Sequence, residues 1–265
     1  MPTITLAAKT DVGLVRQNNE DSFVALGGEK SPPGLDALLV VADGMGGHAA
    51  GEVASRMAVE GVVRMMDVDG TSYWKLLEEV NREIHQAGED SDKAGMGTTC
   101  TVAAISGGTL YLAHVGDSRA YLFRDGALHQ LTKDHSWVEH AVTQGMSQDE
   151  AKTHPNRHVI TRALGLEPQV TVENQQMPLS DGDLILVCSD GLHGLVEDEE
   201  IASVLTNNGP EGACEALVEV ARGYGGDDNI TVAVARVHLL GAETQKIPKG
   251  RLARIVRLLR LRTRY

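Results

Sequence analysis

The patterning of this chain predicts an α+β fold layered mainly from antiparallel sheets, and three observations carry that reading. Short apolar runs recur, four to eight residues long, β-branched or Leu-rich and bounded by Gly, Asp or Ser. A few longer stretches show the three- and four-residue spacing of helices. The two kinds of segment do not alternate regularly, as the strand-helix-strand units of a parallel sheet would.

The expected strands are "TITLAA", "SFVAL", "ALLVVAD", "TCTVAAI", "TLYLAHVG", "RAYLF", "DLILVCSD" and "ITVAVARV", with hairpins at "SGGT" and "RDGA". Helical spacing appears from Ala50 to Met66, where Val53, Ala54, Met57, Ala58, Val62 and Met65 fall on one face, then from Trp74 to Ala87 and from Gly212 to Ala221. The stretch from Glu139 to Leu166 is polar and weakly periodic, which suits a flap over a site or a plain connector. No internal repeat or low-complexity segment stands out.

No Pro/Ser linker interrupts the first 240 of the 265 residues, so one domain is expected over 1–240 with a separate tail over 241–265. The apolar share of 42% supports a core, and with only two Trp, five Tyr and two Phe that core must be aliphatic. The start "MPTITLAAKTD" has no basic region before an apolar one, and no run approaches a membrane span, which predicts a soluble cytoplasmic protein. Cys100, Cys188 and Cys214 are an odd number at wide spacing without CxxC, so reduced, buried thiols are expected rather than disulfides or zinc.

Charge is unevenly spread. Residues 1–240 hold 16 basic against 36 acidic side chains, a net of −20, whereas 241–265 hold eight Lys/Arg against one Glu, +7. An acidic body disfavours nucleic acid and attracts cations. Several expected strands begin or end at an Asp in a Gly-containing turn: Asp43 in "ADGMGG", Asp117 in "VGDSR", Asp190 in "CSDGL" and Asp228 in "GDDNITV". Asn19, Glu20 and Asp21 add an acidic cluster before "SFVAL". One such Asp reads as a turn residue bonded to its own backbone. Several at the rim of one sheet repel each other unless a cation lies between them. All-carboxylate donors suit a hard ion, Mg²⁺, Mn²⁺ or Ca²⁺, and the alternating acids of a calcium-sensor loop are missing. Arg16 beside the acids is an ion-pair partner or a fork for phosphate oxygens. His48, next to the Asp43 turn, is a surface histidine or a proton donor.

The ordered segments "DVGLVRQNNEDSF", "VVADGMGGHAAGEVAS", "GMGTTCTVAAI", "LAHVGDSRAYL", "LTKDH", "LILVCSDGL" and "DDNITVAVARV" resemble the metal-dependent PP2C (PPM) serine/threonine protein phosphatases, in their compact bacterial form, over roughly residues 5–238. The resemblance implies a four-layer α-β-β-α sandwich of two antiparallel sheets flanked by helices, with two core Mn²⁺ or Mg²⁺ ions in a cleft at one end and a third, weaker one. By position, Asp43 matches the carboxylate shared by the core metals and Gly44 the backbone carbonyl ligand. Asp190 and Asp228 match ligands of the other core metal, Glu20 and Asp21 acids that hold metal-bound waters, and Asp117 the ligand of the third metal, with Asp190 shared. Arg16 matches the phosphate-binding arginine and His48 the proposed general acid.

The implied activity is hydrolysis of phosphoserine and phosphothreonine by a metal-activated water, opposing a cognate Ser/Thr kinase. The alternative is a catalytically silent module of the same fold, which would lack metal ligands; here every core position is filled. A monomer that does not bind nucleic acid is expected. In the tail, "KGRLARIVRLLRLRTRY" sets Leu252, Ile255, Val256 and Leu259 on one helical face and Arg254, Arg257 and Arg260 on another. Such a helix suits an anionic membrane surface, an acidic partner or the acidic body itself, which makes the protein peripheral at the membrane in the first case.

Overall fold

The computed structural model describes residues 2–46, 50–66, 73–89 and 94–239. His48 and the tail from 241 onward lie outside the described residues. One sheet runs in the order β1 (Thr3–Asp11), β11 (Ile230–His238), β10 (Leu184–Cys188), β7 (Arg119–Arg124) and β8 (Ala127–Gln130). The other runs β2 (Asp21–Gly27), β3 (Ala37–Met45), β5 (Cys100–Ser106), β6 (Thr109–Val115) and β9 (Glu173–Pro178), with β4 (Gly97–Thr98) paired to the end of β3. Every pairing between these strands is antiparallel.

Side chains alternate across each strand, so a strand buried on both faces reads as an unbroken apolar run. In β3, Ala37, Leu39 and Val41 face the opposite sheet, against Ile185, Val187, Ala233 and Ala235. Leu38, Val40 and Ala42 face away, into a second core with Ala54, Ala58 and Val62 of α1 (Ala50–Met66) and Leu77, Val80 and Ile84 of α2 (Tyr73–Ala87). Beyond the first sheet, Leu186, Cys188, Val232 and Val234 meet α6 (Asp198–Asn207) and α7 (Pro210–Gly223) through Ile201, Leu205, Cys214 and Leu217. Three cores separate four layers. The inter-sheet layer is almost wholly Ala, Val, Leu and Ile, as the scarcity of aromatics requires. All three cysteines are free and buried.

Both expected hairpins form. Gly107 and Gly108 (φ 56° and 76°) turn β5 into β6, and Asp125 and Gly126 (φ 53° and 77°) turn β7 into β8, the paired left-handed positions that suit the twist of a two-residue hairpin. β3 continues through Asp43 to Met45 instead of ending at the Asp, because Gly44 and Met45 find partners in Thr98 and Gly97. The polar stretch after Glu139 is not featureless: α3 (Trp137–Thr143) and α4 (Gln148–Thr153) form there, capped by Ser136 and by a Ser147/Glu150 capping box. No described helix is long and apolar enough to cross a membrane.

Antiparallel order gathers the functional ends. Asp21 pairs directly with Asp43, so the start of β2 meets the end of β3. The ends of β6 and β10 and the start of β11 fall at the same side, through β5 to β6 and through the Cys188 pairings with Arg119 and Val232. Asp117 and Asp228 sit on the loops at those ends, and Asp190 opens the helical turn that follows β10.

Candidate metal centre

Each acid is set by backbone clamps. Asp43 donates its N–H to Thr99 Oγ1 (2.9 Å), and its carbonyl accepts from Thr99 N–H and Thr98 Oγ1, both at 2.9 Å. Glu20 donates its N–H to Asn229 Oδ1 (2.8 Å), while its carbonyl accepts from Gly44 N–H (3.1 Å) and Ser55 Oγ (2.6 Å). Asp21 Oδ2 accepts from Ser189 Oγ at 2.8 Å. α5 (Asp190–His193) is a single turn after β10, with Asp190 at its start; His193 at its end donates from Nε2 to the Asp117 carbonyl, 2.9 Å. Asp228 Oδ1 accepts from the N–H of Asn229 (2.8 Å) and Oδ2 from Arg16 Nη2 (2.7 Å).

Glycine at 44 answers to space. A Cβ there would lie 2.1 Å from the Gly51 carbonyl and 2.6 Å from that of Glu20, so only Gly lets β3 press against both α1 and the Glu20 segment.

Burial raises the carboxyl pKa of Asp43 well above the ordinary range, and the charges of Asp21, Asp190, Asp117 and Asp228 push it further. Asp21, Asp117 and Asp190 are raised for the same two reasons, burial first and neighbouring acids second. Oδ1 of Asp21, of Asp117 and of Asp190 are buried without any hydrogen-bond partner. Orphaned, mutually repelling carboxylates are what a bound cation would satisfy. Among the described residues no three His, Cys, Asp or Glu side chains are grouped so as to hold a metal ion by themselves. A cation satisfying the orphaned oxygens would therefore be a hard one, with water completing its shell.

Seven of the nine expected site residues are thus brought to one end of the sandwich by strand pairing, by shared hydrogen bonds or by mutual charge: Glu20, Asp21, Asp43, Gly44, Asp117, Asp190 and Asp228. Arg16 joins them through Asp228, and its charge also acts on Asp43 and Glu20. Only His48 falls outside the described residues. The props around the site were not singled out from sequence: Asn229, Ser189, Thr99 and His193 carry no signal of their own, although Ser189 and Asn229 sit beside the acids in "CSDG" and "GDDN".

The family model described as "Protein phosphatase 2C" matches residues 15–224. The chain belongs to the protein phosphatase 2C family. A Listeria innocua serine/threonine phosphatase, stp, is 36% identical over 244 residues, covering 88% of this chain and 95% of the relative. The solved serine/threonine phosphatase of S. agalactiae superposes with a TM-score of 0.81 at 35% identity, covering 88% of this chain and 99% of that one. The catalytic domain of the serine/threonine protein phosphatase PstP, solved in complex with two manganese ions, gives 0.78 at 39% identity over 90% of this chain and all of that one. The two-sheet architecture is therefore the protein phosphatase 2C fold, and the strand-end acids lie at one end of it.

Proposed function

We propose that in this metal-dependent serine/threonine protein phosphatase the strand-end acids hold the cations and Arg16 holds the substrate phosphate. Asp43 and the Gly44 carbonyl, with Asp190 and Asp228, would hold the core pair of Mn²⁺ or Mg²⁺ ions. Glu20 and Asp21 would hold waters on them, and Asp117 with Asp190 a third ion. Divalent cations supply Lewis acidity there, lowering the pKa of a water and offsetting phosphate charge. The chain's own residues do the rest. Arg16 turns its fork to two phosphate oxygens, the clamps on Asp43 and Glu20 keep the acids from relaxing apart, and His48 protonates the departing Ser/Thr oxygen.

The observation that carries this reading is the set of buried, unpartnered carboxylate oxygens at three strand ends. Hydrolysis of p-nitrophenyl phosphate and a phosphothreonine peptide in Mn²⁺, Mg²⁺ and EDTA tests it. Turnover that requires metal and vanishes in a folded Asp43→Asn variant is the expected result; metal-independent turnover would refute it.

The substrates are proteins phosphorylated on Ser or Thr, among them a cognate kinase, and the catalytic unit, residues 1–240, acts as a monomer. The basic tail, residues 241–265, carries this unit to anionic membrane from the cytoplasm, since the −20 body alone is repelled by such a surface. Full-length protein is expected to sediment with phosphatidylserine vesicles and the 1–240 fragment to stay in the supernatant. Equal sedimentation would dismiss the tail's role.

A further inference from the structure

Scattered single apolar side chains on a surface are ordinary, but here several are gathered at the metal centre. Val12, Leu14 and Val15 share the loop that ends at Arg16, with Leu14 58% and Val15 64% exposed. That loop is not frayed. Leu14 N–H donates to the Gly226 carbonyl (2.8 Å), Asn229 Nδ2 to the Val12 carbonyl (3.0 Å) and Gly13 N–H to Asp11 Oδ1 (2.9 Å). Gly13, at φ 79°, is packed so closely that a Cβ would meet the Asp228 carbonyl at 2.3 Å. The fold therefore holds Leu14 and Val15 outward beside Asp228 and Arg16 at the cost of leaving them wet.

A further exposed apolar residue belongs to a stretch tied to the Asp117 turn. Val159, 47% exposed, has its carbonyl fixed by Trp137 N–H at 2.8 Å, and its stretch is tied to the Asp117 turn through Thr161 N–H to the His135 carbonyl and His135 N–H to the Gly116 carbonyl, both 2.8 Å. Apolar side chains thus flank the acids from the Arg16 loop and from the stretch after α4. The surrounding body is strongly acidic, so a chain crossing this cleft meets apolar contacts and repulsion of further negative charge.

We infer that Leu14, Val15 and Val159 form apolar shelves on either side of the metal centre, and that the occupant is the phosphorylated segment itself: phosphothreonine or phosphoserine with a large aliphatic residue within about two positions. The inference rests on the phosphatase reading and names the substrate class of the same site. Val15 directly precedes Arg16, so a phosphate held by that arginine brings its neighbours along the chain within reach of the shelf.

The test is a panel of phosphothreonine peptides with Leu, Ser or Glu at the flanking positions. It is run on wild type, on Leu14→Ser/Val15→Ser and on Val159→Ser, with p-nitrophenyl phosphate, which has no flanks, as the reference in every ratio. Wild type is expected to favour Leu over Ser by about tenfold in kcat/KM, the low end of what one aliphatic group contributes in a pocket, with Glu poorest. The variants are expected to lose that preference relative to the reference. A flat wild-type panel, or a preference that survives in both variants, overturns the inference while leaving the phosphatase reading intact. Absence of turnover on every substrate removes both. A flat panel together with a sedimenting dimer that the double variant abolishes would assign the shelf to a second copy of the chain and likewise overturn the proposal.

Discussion

Two carboxylates placed directly opposite on neighbouring strands destabilise a sheet, yet Asp21 and Asp43 are so placed. The chain keeps them there with neutral clamps: Ser189 on Asp21, Thr98 and Thr99 on the backbone of Asp43. Neither acid has a cation of its own among these partners, and the Arg16 guanidinium, whose charge reaches Asp43, is bonded to Asp228. That division of labour makes a prediction for Arg16. Arg16→Ala is expected to raise KM for phosphopeptides about tenfold or more, with a smaller loss in kcat, because it removes a phosphate contact and leaves the acids in place. Steady-state kinetics in saturating Mn²⁺ check this, and an unchanged KM would mean that Arg16 serves only as a partner for Asp228.

At the scale of elements, Asn229 fastens the loop before β2 at three points. Its Oδ1 accepts from Glu20 N–H, and its Nδ2 donates to the carbonyls of Val12 and Asn18, both at 3.0 Å, so the start of β11 holds the loop that leads into β2. Asn229→Ala is expected to destabilise the protein by about 2–3 kcal/mol through those unmet groups and to weaken Mn²⁺ binding about tenfold or more, as loss of a supporting partner does. Denaturant unfolding and metal titration of the variant measure the two effects. The same element shows what could be read in the sequence. "ITVAVARV" announces a strand buried on both faces, and "GDDN" an acid at its mouth, because burial and charge leave marks on residue type. Asn229 as a staple leaves none, since its three bonds run to backbone about two hundred residues away. Short capped helices such as α3 and α4, and the polar edge strand β9 with only Met177 buried among its six residues, escape for a related reason: too few turns or buried faces to set up a period. His48 and the tail were legible as motifs and fall outside the described residues.

Taken whole, the molecule is an aliphatic sandwich that concentrates negative charge at one mouth, and its energetics depend on what occupies that mouth. Asp21, Asp43, Asp117 and Asp190 titrate above the ordinary carboxylate range when no cation is bound. A group raised in this way stabilises the fold fully below its unfolded value, near pH 4, and the contribution is lost as pH climbs through the raised value. Cation binding requires the same groups deprotonated, so protons and metal compete. Calorimetric titration of Mn²⁺ into the metal-free protein at about pH 6 and about pH 8 tests the central claim most directly. At least two ions are expected to bind, more tightly at the higher pH and with proton release at the lower, and Asp43→Asn is expected to lose the tight sites. Absence of Mn²⁺ binding at either pH, or equal binding by Asp43→Asn, would contradict the account.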